Sequence, residues 1–274
     1  MQYLHLDQSF TPFDKSIEFT SFVFNGGEPH IKISEKSIGN EVTITHRLNS
    51  FNDVGLLLVA TDALRRMGVK LINVLIPYFP AARQDRVMVS GESLSVKVYA
   101  DIINTQNYNQ VMVFDPHSEV TPALLNNVKV IENYEYVKQC LNEIKEDVVL
   151  ISPDGGALKK IYKVSEYLGG IEVVECSKKR DVKTGKLSGF RVYEDDLKGK
   201  HCVIVDDICD GGGTFLGLAT ALKEKNARKL SLIVSHGIFS KGFEELNKSF
   251  DTVFTTNSFR DIEEENVVQF SVIK

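Results

Sequence analysis

Cys202-Val203-Ile204-Val205-Asp206-Asp207-Ile208-Cys209-Asp210-Gly211-Gly212-Gly213-Thr214-Phe215 reads as a strand, an acidic pair, a glycine loop and the start of a helix. An apolar strand delivers two adjacent carboxylates to its C-terminal end, where open parallel sheets bind their ligands. Three glycines let backbone N–H groups converge on an anion without obstruction by Cβ atoms. Thr214 then opens a helix whose N-terminus adds partial positive charge, a natural phosphate site. No Gly-Lys-Ser/Thr follows, so the segment is not a Walker loop. Carboxylates beside a phosphate cradle repel the ligand unless they grip hydroxyls or a metal, and a phosphorylated sugar satisfies both halves. A plain strand–helix turn with solvated acids is the alternative, but one turn rarely needs three glycines and three acids.

Outward from this segment, short β-branched runs alternate with helical stretches. Strands are expected at Leu71 to Ile76, Val111 to Phe114, Val148 to Ile151, Ile171 to Glu175, Cys202 to Val205, Leu230 to Val234 and Thr252 to Thr255. They are apolar throughout, as in parallel strands covered on both faces. Helices are expected over Asp53 to Met67, Ser93 to Asn104, Tyr134 to Lys145, Ala157 to Leu168 and Thr214 to Lys225. This alternation predicts an α/β fold with right-handed crossovers. The opening segment, Ile17 to Arg47, reads as more β-rich, with turn signals at Asn25-Gly26-Gly27 and Gly39-Asn40. Two successive α/β units are expected, residues 1–132 and 133–274.

The chain has 274 residues, 43% hydrophobic and 25% charged, enough for a sizeable core. Lysine and arginine total 32 against 37 acids, a net charge of −5, which argues against broad nucleic-acid binding. Cys140, Cys176, Cys202 and Cys209 form no C-x-x-C pair, so reduced thiols rather than structural zinc are expected. Cys209, inside the loop segment, is the thiol expected nearest a ligand. No basic-then-apolar leader opens the sequence and no uncharged apolar stretch approaches 18 residues, so a cytoplasmic protein without membrane or nucleic-acid partners is expected.

The acidic pair and glycine loop resemble the phosphoribosyl-pyrophosphate motif of type I phosphoribosyltransferases and ribose-phosphate pyrophosphokinases. Further segments favour the kinases. Asp62 to Arg66 and Val74 to Arg86 resemble the kinases' N-terminal domain, and Val113-Phe114-Asp115-Pro116-His117 resembles their strand-end Asp-x-His. Ser152-Pro153-Asp154-Gly155-Gly156 resembles their Ser-Pro-Asp-x-Gly loop, and Lys178-Lys179-Arg180 their basic catalytic loop. The resemblance runs in order from about Phe24 to the end of the chain. It implies two tandem type I phosphoribosyltransferase-like domains, ATP-binding first and phosphoribosyl-binding second. It also implies Mg²⁺-dependent transfer of the β,γ-diphosphate of ATP to the 1-hydroxyl of a 5-phosphorylated ribose, with release of AMP, by a homo-oligomer.

Residue by residue, the resemblance implies that Asp206 and Asp207 hold ribose hydroxyls. Asp210, Gly211, Gly212, Gly213 and Thr214 would wrap the 5-phosphate, and Lys178 and Arg180 would close over the reacting group. Phe24 and Glu28 would hold adenine, with Arg83, Gln84 and Arg86 on ATP and His117 and Asp154 on metal. The residue types suit the chemistry independently: diphosphoryl transfer needs alignment and cancellation of charge, and arginine clamps phosphates bidentately. Imidazole is an unusual ligand for a hard cation, so magnesium at His117 rests on the resemblance alone. Lys178 and Arg180 fall in a polar stretch read as a loop ending at Gly189.

The pattern departs from the family at Gly211, where a Ser or Thr is usual, and at Gly26, where an acid is usual. It departs again at Val87, where a basic residue is common, and the sequence ends near Lys274 without the C-terminal helix of longer members. A hydroxyl donor to a phosphate dianion is worth about 1–3 kcal/mol. Its loss, with a roomier loop, tilts the expectation toward a substituted 5-phosphate: ADP-ribose, the acceptor of phage-encoded relatives that serve NAD resynthesis, ahead of ribose 5-phosphate. A type I phosphoribosyltransferase and a non-catalytic regulatory relative are the other readings.

Overall fold

The computed structural model describes residues 2–35, 37–180 and 187–273, and only the backbone of residues 179, 180, 187 and 188. The chain forms two compact units, one running through Glu132 and one spanning Asn133–Phe270, with the segment from Ser271 joining the first.

In the first unit the order is β1 (Gln2–His5), β2 (Phe19–Val23), β3 (Pro29–Ile33), β4 (Glu41–Thr45), α1 (Phe51–Arg66), β5 (Leu71–Ile76), α2 (Ser95–Asn104), β6 (Gln110–Phe114), α3 (Val120–Leu124) and β7 (Val128–Ile131). A five-stranded sheet runs β1-β4-β5-β6-β7 with every pair parallel, while β2 and β3 form a separate antiparallel hairpin. Helix α1 starts where Ser50 Oγ accepts from the Asp53 N–H and the Asp53 carboxylate accepts from the Asn49 N–H, a reciprocal cap. It buries Val54, Leu57, Ala60, Thr61 and Leu64, spaced three and four apart on one face. Each such buried leucine contributes about 1.5–3 kcal/mol.

The second unit follows as α4 (Tyr134–Ile144), β8 (Val148–Ser152), α5 (Leu158–Tyr167), β9 (Val173–Arg180), β10 (Leu187–Val192), β11 (His201–Cys209), α6 (Gly213–Glu224), β12 (Lys229–Gly237), α7 (Glu244–Ser249), β13 (Thr252–Thr256) and β14 (Val267–Phe270). Its sheet runs β10-β9-β8-β11-β12-β13-β14, parallel except for the β9–β10 pair. From β8 the chain winds one way to β9, then returns to place β11 on the other side of β8. The winding therefore reverses between β8 and β11, and the crevice outside the C-terminal ends of those strands is where such sheets bind ligands.

Two sequence expectations change. The strand expected to stop at Val205 continues as β11 to Cys209, because Ile208 and Cys209 keep their ladder with His236 and Gly237 of β12. Asp206 and Asp207 thus stand within the last turn of the ladder, and Cys209 is fully buried in the core rather than turned to a ligand. Lys178 also lies on a strand, not a loop: β9 runs to Arg180 and pairs antiparallel with β10, whose Gly189 and Phe190 bulge opposite Lys178. Among the described residues no helix is long and apolar enough to cross a membrane.

Candidate functional site

Asp206 and Asp207 project from adjacent positions of one strand, so their side chains leave opposite faces near its end. Asp207 is buried, and its N–H donates to Asp206 Oδ1 at 3.0 Å. Burial raises the Asp206 pKa well above the ordinary carboxylate value, and the neighbouring charges of Asp207 and then Asp154 push the same way. Such a pair has an excess of acceptor capacity and a deficit of donors, which sugar hydroxyls or a cation supply.

The neighbouring strand brings the other half. Just past β8, Asp154 Oδ1 accepts from the N–H groups of Gly156 (2.8 Å) and Ala157 (3.1 Å), while Oδ2 lies 2.7 Å from Lys178 Nζ on β9. Burial pushes the Asp154 carboxyl up, but the ammonium and the two backbone donors outweigh it, and its pKa lies below the ordinary value. Three neighbouring strands, β9, β8 and β11, thereby gather Lys178, Asp154 and the acidic pair at the reversal point. Arg180 is assigned the partner role to Lys178, and its side chain lies outside the described residues.

After β11 the loop turns through Gly212, whose φ of +75° lets it cap α6 in a left-handed conformation that a side chain would strain. A Cβ there would also press on Leu246 at 3.3 Å. Gly211 does not open onto empty space. A Cβ there would meet the Cδ and Cε of Lys241 at 3.4 Å each, so the lysine stem borders the space beside the glycine at ordinary contact distance. The loop carrying Lys241 is fastened to this one: the N–H groups of Ile238 and Phe239 donate to the Cys209 carbonyl, and Ser240 bonds Asp210 through both its N–H and its Oγ (2.6 Å).

In the first unit, adjacent strands β5 and β6 carry Arg83, Gln84, Arg86 and His117 just beyond their C-terminal ends. Ala81, with φ of +55°, turns the chain so that the Gln84 N–H donates back to its carbonyl at 2.8 Å. Asp85 ties these pieces together: its Oδ1 accepts from Arg86 Nε at 2.9 Å, and it bonds Ser118, beside His117. The Arg86 bond, set against some desolvation, leaves the Asp85 pKa below the ordinary value. Phe24 and Glu28 stand at the tip of the β2–β3 hairpin, where the Phe24 N–H donates to the Glu28 carbonyl and Phe24 packs edge-on to Phe22 at 4.7 Å. A Cβ on Gly26 would collide with the Glu28 carboxylate at 2.5 Å, so glycine there lets Glu28 fold across the turn.

As to metal, Asp154, Asp206 and Asp207 offer the hard oxygen donors that Mg²⁺ takes alongside water and substrate phosphates. The raised Asp206 pKa marks surplus negative charge that a cation would relieve, so these residues fit the ion. Among the described residues no group of three His, Cys, Asp or Glu side chains forms a ready-made metal cage.

Comparison with known proteins decides the lineage. The phosphoribosyl transferase domain model matches residues 125–272, and the model for the N-terminal domain of ribose phosphate pyrophosphokinase matches residues 15–106. The ribose-phosphate pyrophosphokinase of Mycoplasmopsis pulmonis is 31% identical over 248 residues, covering 88% of this chain and 76% of that one. The chain belongs to the ribose-phosphate pyrophosphokinase family. The Pyrococcus abyssi member is 30% identical over 262 residues, covering 93% of this chain and 88% of its own. The phosphoribosylpyrophosphate synthetase structure from Mycobacterium smegmatis superposes with a TM-score of 0.82 at 25% identity, over 94% of this chain and 87% of that one. The fold is thus two phosphoribosyltransferase-like domains, and the protein is an ATP-dependent diphosphokinase.

Sequence reasoning passed over three residues of this pyrophosphokinase. Asp85 lay in plain view between Arg83 and Arg86, where a buried acid would have been the signal. Phe190, whose ring covers Gly217 of α6, and Lys241 left no local signal, because both reach their partners only through tertiary structure.

Proposed function

We propose that this enzyme transfers the β,γ-diphosphate of ATP to the 1-hydroxyl of ribose 5-phosphate, in a Mg²⁺-dependent reaction that releases AMP. The gathering of Lys178, Asp154, Asp206 and Asp207 at the β8–β11 reversal point carries this reading. Asp206 and Asp207 accept hydrogen bonds from the ribose 2- and 3-hydroxyls, and Asp210 through Thr214 wrap the 5-phosphate at the start of α6. Lys178 and Arg180 neutralise charge as it develops on the transferring group. In the first unit Arg83, Gln84 and Arg86 hold the ATP phosphates, and Phe24 and Glu28 hold adenine. His117 in the first unit would hold one Mg²⁺ and Asp154 in the second unit a second ion, and these would supply neutralising charge for the phosphates. The exposed apolar run Val87, Met88 and Val89 supports assembly of identical copies.

ADP-ribose as acceptor is the second reading, and the absence of a hydroxyl at Gly211 favours it. Ribose 5-phosphate is preferred because the Lys241 stem lines that position, within one side-chain length of a cationic group. Purified protein is incubated with ATP, Mg²⁺ and each acceptor, and AMP is followed with the sugar product by ³¹P NMR. Ribose 5-phosphate is expected to show the higher kcat/KM. A tenfold advantage for ADP-ribose overturns the acceptor choice. No AMP with any phosphorylated pentose overturns the whole reading.

A further inference from the structure

We propose that Lys241 is a specificity-determining residue of the acceptor site, supplying the charge that binds a terminal phosphate monoester in place of the side chain absent at Gly211. The inference rests on the acceptor-site reading above. Three observations carry it. Gly211 has no side chain, so the loop wrapping the 5-phosphate lacks a hydroxyl donor at that position. Lys241 lines the space beside Gly211, with both Cδ and Cε at 3.4 Å from where a Cβ would stand, so its ammonium, one C–N bond past Cε, is carried close to this loop. The lysine is also not carried on a free-swinging segment. Backbone bonds from Ile238, Phe239 and Ser240 to Cys209 and Asp210, with the Ser240 Oγ on Asp210 Oδ1, fix its loop against the phosphate loop.

The exchange has a chemical consequence. A hydroxyl gives one directed hydrogen bond, whereas an ammonium is a compact positive charge with three donors, so its attraction grows with the charge on the phosphate. A monoester dianion gains more from it than the singly charged phosphate of a diphosphate bridge. Discrimination between acceptors at this position therefore runs through charge. A threonine at 211 would press against the lysine stem, so the two positions act as alternatives.

The test measures steady-state kinetics of the full chain with ATP and Mg²⁺, varying ribose 5-phosphate and ADP-ribose separately. Lys241→Ala should raise the KM for ribose 5-phosphate about 10- to 100-fold, with the KM for ATP unchanged and the KM for ADP-ribose moved at most about threefold. Lys241→Arg should hold KM near wild type, and Gly211→Thr combined with Lys241→Ala should recover much of the loss. An unchanged KM for ribose 5-phosphate in Lys241→Ala, with wild type active, overturns this inference alone. Equal losses for both acceptors overturn the charge selectivity. If wild type forms no AMP with either acceptor, the underlying functional reading fails instead. Circular dichroism melts of Lys241→Ala that coincide with wild type separate a binding defect from misfolding.

Discussion

Lys178 Nζ stands 2.7 Å from Asp154 Oδ2, with both side chains mostly shielded from solvent at 18% and 28% exposure. The ammonium therefore has a fixed position on β9, and the bulge of Gly189 and Phe190 opposite it sets the local twist. Replacing Lys178 by Ala removes the charge that holds the Asp154 pKa down and leaves that carboxylate with only its two backbone donors. Stability should fall by about 1.5–3 kcal/mol, the usual scale for a charged hydrogen bond, while turnover falls by at least about 100-fold. Binding of a non-hydrolysable ATP analogue, followed by calorimetry, should stay within about threefold of wild type. Undiminished turnover would remove Lys178 from the chemistry.

Asp206 offers the reverse sign. Its pKa is raised, so the fold favours the protonated acid. The stability this confers is complete below the ordinary carboxylate range and is lost as pH rises through the raised value. At pH 7 that stability is reduced, and Asp206→Asn should melt a few degrees higher than wild type, with the gap narrowing toward pH 4. The same variant should bind ribose 5-phosphate roughly 10- to 100-fold more weakly, since an amide replaces a carboxylate facing hydroxyl donors. Thermal melts from pH 4 to pH 8 check the first part and acceptor titration the second. A variant less stable than wild type at pH 7 contradicts the electrostatic account.

The sheet cores were legible because parallel strands buried on both faces leave uninterrupted apolar runs, as at Leu71–Ile76 and Cys202 to Val205. The edges were not. Strands β7 and β14 are four residues each and half exposed, so their patterns are too short to separate from loops. Lys178-Lys179-Arg180 read as loop because charge run and turn composition look alike. Only pairing with β10 makes this stretch a strand, and pairing is a long-range property. The acidic pair and glycine loop were readable since local chemistry forces them into one short segment. Lys241, thirty positions from Gly211, was not, because α6 carries the chain away and β12 brings it back before the two loops meet.

Three of the four buried histidines among the described residues give a further pH signature. His5, His46 and His201 are each at most 5% exposed, and burial lowers all three pKa values below 6.5. At His5 the Nε2–H donates to the Phe13 carbonyl at 2.9 Å, which favours the proton and offsets part of the burial effect, while Nδ1 faces Thr45 Oγ1 at 2.7 Å. The unfolded chain takes up protons near pH 6.5 that the fold resists, so this stability is full above that value and lost as pH falls below it. Measured in the Asp206→Asn background, which removes the opposing carboxyl, Tm should drop between pH 7 and pH 5. His46→Asn should flatten part of that slope. A Tm independent of pH across this range rules the assignment out.

Phe190 and Gly217 link the basic hairpin to the phosphate-loop helix. The bulge opposite Lys178 turns the Phe190 ring onto α6 at Gly217, where even one added Cβ would overlap it. The elements carrying Lys178 and Thr214, the β9–β10 hairpin and α6, are thus joined through this packing contact. Gly217→Ala should cost about 1–3 kcal/mol through overpacking, since ring and helix must separate. It should also lower kcat by displacing β10 against β9, although the substitution touches no substrate. Shrinking the ring tests the cause: Phe190→Leu added to Gly217→Ala should restore both Tm and kcat in part. If the double variant is no better than Gly217→Ala in either measure, the contact does not couple the two elements.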